Sequence, residues 1–66
     1  MDHYEIIDAM LDRVVLDSEG YVTKLSAIRA SADAYYNMGA LADYQWRALV
    51  NRSAKIQDML FDRNIS

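Results

Sequence analysis

Glu5, Asp8 and Asp12 follow one another at spacings of three and four residues, which on a helix stacks three carboxylates along one side. Clustered carboxylates can exchange protons or hold a cation, but only where burial or a neighbour moves one of them from its ordinary pKa. Ile7, Met10, Leu11 and Val14 form the apolar stripe of the same stretch, so the three acids are expected on the solvent side. Solvated there, they make poor general acids. His3, in the first helical turn, could join Glu5 in a pH-sensitive contact but reads as an ordinary surface histidine. There is no cysteine, no glycine-rich phosphate loop, no nucleophile elbow and no Ser–His–Asp set. The expectation is a protein that is not an enzyme and takes no cofactor, metal ion or small-molecule substrate.

The remaining chemistry is that of recognition. Tyr44, Arg47, Asn51 and Lys55 recur at helical spacing, with Arg52 beside them. Tyrosine and arginine serve as interface anchors because they join large area to hydrogen bonding. Arginine, asparagine and lysine also reach bases and phosphates, and a helix, a Gly39 turn and a second helix superficially follow a helix-turn-helix. Asp58 and Asp62 continue that face, however, and would repel phosphate. Tyr35 and Tyr36 are adjacent, so at about 100° per residue both cannot point to one centre and one belongs at an edge or interface. The candidate partner-binding residues are therefore Tyr35, Tyr36, Tyr44, Arg47, Asn51 and Lys55, together with the acidic group Glu5, Asp8 and Asp12.

Two glycines, Gly20 and Gly39, divide the chain into three segments that must position these residues. Asp2 and Glu5 form an N-terminal capping signature, with Met1 and Ile6 placed for a hydrophobic staple. The periodicity predicts a helix over about 3–16. Residues 13–23 are ambiguous between a loop and a β-hairpin, and a loop over 17–22 is favoured because a lone hairpin is marginal in water. In the second segment Thr23 is the expected cap, Leu25, Ile28, Ala32 and Tyr35 make the stripe, and Gly39 ends the helix. Ala27, Ala30, Ser31 and Ala34 are small enough for a second helix to approach closely. The third helix starts with either Asp43 or Ala42 as cap; the latter aligns Leu41 with Trp46 and puts Gln45 third in the helix. Its stripe of Trp46, Leu49, Val50, Ser53, Ile56 and Leu60 is widened by Ala54, Met59 and Phe61.

The predicted fold is all-α: a single domain over residues 1–66, with an antiparallel hairpin of the second and third helices and the N-terminal helix packed across it. A chain of 66 residues buries only about 60% of its unfolded surface. With 53% hydrophobic residues and no disulfide to help, it is expected to form a homodimer. The net charge of −3 hides an acidic front, with six acids against Arg13 through Gly20, and a mildly basic remainder. That balance speaks against a dedicated nucleic-acid binder. No apolar run suffices for a membrane span, and Asp2 and Glu5 stand where a secretory signal carries basic residues, so a cytoplasmic protein is expected. These features favour a small protein-binding regulator, adaptor or inhibitor of the kind a phage or mobile element encodes. The alternatives are a helical nucleic-acid-binding regulator using the Tyr44, Arg47, Asn51, Lys55 face, and a structural subunit of a larger assembly.

Overall fold

The computed structural model describes residues 2–65, with side chains through Arg63. Three helices, α1 (His3–Leu16), α2 (Tyr21–Asn37) and α3 (Asp43–Ile65), pack each against the other two. The chain is all-α, as the periodicity predicts. α2 runs antiparallel to α1, since the His3 ring meets Tyr35 at one end and Lys24 meets Asp17 at the other. α2 and α3 form the antiparallel hairpin, so α1 and α3 run in the same sense.

Local sequence sets most boundaries. The Asp2 carboxylate accepts the Glu5 N–H at 2.9 Å, which caps α1. The Met1–Ile6 staple lies outside the described residues. α2 closes on Gly39 at φ +81, with Ala40 N–H donating to Tyr35 O and Gly39 N–H to Tyr36 O. This pair of bonds is the Schellman arrangement. Ala42, not Asp43, caps α3: Trp46 N–H donates to Ala42 O, and the Gln45 side chain reaches back to accept the Ala42 N–H at 2.9 Å. Leu41 is buried at the position before that cap.

The start of α2 corrects the sequence reading. Thr23 is exposed within the first turn and is not the cap, and the connection is shorter than 17–22. Gly20 takes the cap position in the left-handed region at φ 65, with no side-chain hydrogen bond. The Asp17 carboxylate accepts the Glu19 N–H, and Tyr21 N–H donates to Ser18 O. This tight turn lets the helix begin at Tyr21, whose ring packs on the core. No strand occurs among the described residues.

Ile7, Leu11 and Val14 of α1, Leu25, Ile28 and Ala32 of α2, and Leu49, Ile56 and Leu60 of α3 meet with Leu41 in one core. Met10 was assigned to this stripe but is only partly covered, and Ala54, Met59 and Phe61 stay exposed. The widened stripe of α3 exceeds what two neighbouring helices can cover.

Candidate functional site

Arg52 of α3 reaches over to α1. Its guanidinium donates to Asp8 Oδ1 and Asp12 Oδ1, and also to the Asp8 carbonyl at 3.1 Å. The Asp12 hydrogen bond raises the Arg52 pKa most; burial opposes it, and Asp8 adds to it. Two of the three expected acidic docking residues are thus engaged inside the molecule, and of the three only the Glu5 carboxylate is exposed with no partner among the described residues. The sequence placed Arg52 beside the basic face; the shared direction of α1 and α3 turns it inward.

Tyr35 and Tyr36 are both half-buried against the core. Tyr35 packs on the His3 ring at 4.5 Å between centroids, which gives His3 a structural neighbour. Tyr36 stacks on Trp46 at 4.6 Å and 15°, and its hydroxyl donates to Asp43 Oδ1 at 2.7 Å. That bond to the carboxylate raises the Tyr36 pKa, because it favours the protonated phenol. Trp46 Nε1–H also donates to Asp33, while Arg29 pairs with Asp33 and lies 5.9 Å from the indole centroid. Tyr36 is thus a working part of the α2–α3 junction, and Tyr35 of the α1–α2 contact.

Tyr44, Arg47, Asn51 and Lys55 are all exposed along the outer side of α3, with Tyr44 74% accessible. Asp43 Oδ2 holds the Arg47 guanidinium at 3.0 Å, and Asp58 continues the row toward the C-terminal end. The row therefore presents an aromatic ring among charges of both signs. It remains the one continuous part of the expected partner-binding set.

A second surface was not read from the sequence. Met10, Val14 and Leu16 of α1 and Ala27 and Ile28 of α2 line an open groove of about 560 Å³, rimmed by Arg13, Asp17 and Lys24. Leu16 is 87% exposed. The signal available was the apolar excess of α1: Ile6, Ile7, Met10, Leu11, Val14, Val15 and Leu16 exceed one stripe. Among the described residues there is no group of three or more His, Asp or Glu placed to hold a metal ion, and no helix long and apolar enough to cross a membrane. Comparison with protein-family models, curated proteins and solved structures finds no match for this chain.

Proposed function

We propose that this chain is a small non-enzymatic protein-binding regulator, adaptor or inhibitor that docks on its target through the outer face of α3. The observation that carries this reading is the unpacked row Tyr44, Arg47, Asn51, Lys55. Tyr44 offers a large amphipathic anchor at little conformational cost. Arg47 is pre-positioned by Asp43, and Lys55 has no partner among the described residues. Asp43 and Asp58 on the same row favour a polypeptide of mixed charge over a phosphodiester backbone. A cytoplasmic site of action goes with this reading, since a chain without cysteine gains nothing from an oxidising compartment.

The test is affinity capture from the native host with wild-type, Tyr44→Ala and Lys55→Glu baits, identified by mass spectrometry. A partner retained by wild type and lost from both variants supports the reading. A partner held equally by all three removes the α3 face. Tight DNA binding that falls steeply with salt and with Lys55→Glu would transfer the function to nucleic acid.

A further inference from the structure

A groove of about 280 Å³ runs along the seam of α2 and α3. Trp46 meets Asp33 across this seam, so the antiparallel course sets Arg29 level with Val50, Ser26 with Ser53 and Val22 with Gln57. All six of these line the groove, and none belongs to the row Tyr44, Arg47, Asn51, Lys55. Arg29 is the one charged side chain of the lining. On a chain of net charge −3, this groove therefore holds a cation and no anion.

The polar groups of the groove are available to a ligand. Ser31 Oγ, also on α2, donates back to Ala27 O at 3.1 Å, a common resort of a serine inside a helix. Ser26 and Ser53 make no such bond, and neither they nor Gln57 have a partner among the described residues. Arg29 gives its Nε–H to Asp33 at 3.2 Å, which leaves its two terminal nitrogens for a second acceptor. Asp33 stands one turn beyond the groove, and its carboxylate already takes the Trp46 Nε1–H as well. A guanidinium held along one edge and open along the other suits a bidentate carboxylate.

We propose that the α2–α3 groove binds a small organic carboxylate. The carboxylate forks onto Arg29 and takes the hydroxyls of Ser26 and Ser53, and the apolar body lies over Leu25, Val50 and Val22. Arg29 and Val22 are seven positions apart, about 10 Å along the helix, which sets the length of the body. The apolar lining separates this ligand from an inorganic anion, and Arg29 separates it from a neutral hydrocarbon.

Titration of hexanoate into the isotopically labelled chain at neutral pH, followed by nitrogen–proton NMR spectra, tests the assignment. Saturable shifts are expected at the Trp46 indole and at the amides around Ser26 and Ser53, with a Kd of about 1 mM for so small a ligand. Hexanamide, which has the same body without the charge, binds at least about tenfold more weakly, and so does acetate, which has the charge without the body. Arg29→Gln weakens hexanoate by about tenfold. Arg29→Lys keeps the charge beside Asp33 but not the fork, and recovers only part of the affinity. Ser26→Ala with Ser53→Ala weakens binding by about threefold to tenfold while circular dichroism reports an unchanged fold. Hexanamide binding as tightly as hexanoate overturns the proposal. So do shifts confined to the groove of Met10, Arg13 and Lys24, full affinity in Arg29→Gln, or no saturable shift at about tenfold above the expected Kd.

Discussion

Trp46 Nε1–H donates to Asp33 Oδ1 at 2.8 Å, tying the start of α3 to the later part of α2. This bond is the largest cause of the lowered Asp33 pKa; burial opposes it, and Arg29 adds to it. The folded-state value lies below 3.8, the ordinary one, so the charged form stabilises the fold. That contribution is complete above 3.8 and is lost as pH falls through the depressed folded value. Acid titration of Trp46 fluorescence is expected to show a step in that window, and Asp33→Asn is expected to remove it. An unchanged acid limb in the variant would show that Asp33 does not report on the junction. Tyr36 works at the other end of the scale. Its raised pKa means that the Asp43 contact persists through the ordinary tyrosine range near 10 and is lost only as pH rises through the higher folded value.

Arg52 is the cross-link between α3 and α1, and Arg52→Ala leaves Asp8 and Asp12 as adjacent, uncompensated carboxylates. The pairs are partly solvated, so each contributes at most about 1 kcal/mol. Loss of about 1–2 kcal/mol in total lowers Tm by about 5–15 °C in a domain of this size. Arg52→Lys recovers only part of this, because an ammonium cannot fork between two carboxylates. Thermal melts followed by circular dichroism decide it, and an Arg52→Ala melt matching wild type would mean that the contacts are energetically empty.

The legible and illegible parts of this fold separate by range. Ile7, Leu11 and Val14 declare α1 through spacing alone, and Gly39 declares the end of α2 because a left-handed residue is needed there. The start of α2 was misread because Gly20 caps without a side chain, whereas Thr23 is a cap residue by type alone. Asp8 and Asp12 look solvated in one dimension, and only the parallel course of α1 and α3 delivers Arg52 to them. Tyr35 and Tyr36 diverge around the helix as expected, yet His3 and Trp46 come from other helices to receive them. Tyr44, Arg47, Asn51 and Lys55 were readable as an exposed row because they stand off the stripe within a single helix.

Gly39→Ala isolates the backbone term of the α2–α3 turn. A Cβ there meets nothing within 4 Å, so no neighbour is displaced. The cost is the left-handed conformation itself, about 1–2 kcal/mol. Tm is expected to drop by about 5–15 °C, and less for Gly39→Asn, which tolerates that region better. Equal melts for glycine and alanine would mean that the turn has relaxed to negative φ.

Leu49 and Leu16 make the sharpest contrast of one residue type in two settings. Leu49 is 2% exposed in the centre of the core, and Leu16 is 87% exposed at the end of α1. Leu49→Ala removes buried methyl groups and leaves a cavity, at a cost of about 2–5 kcal/mol. A core this small rarely supplies more than about 3–5 kcal/mol, so the variant is expected to be largely unfolded at room temperature. Leu16→Ala changes the stability of a single chain by no more than about 0.5 kcal/mol. Urea denaturation of both variants measures the two costs side by side. Full helicity and a cooperative transition in Leu49→Ala would show that the core is not centred on that residue.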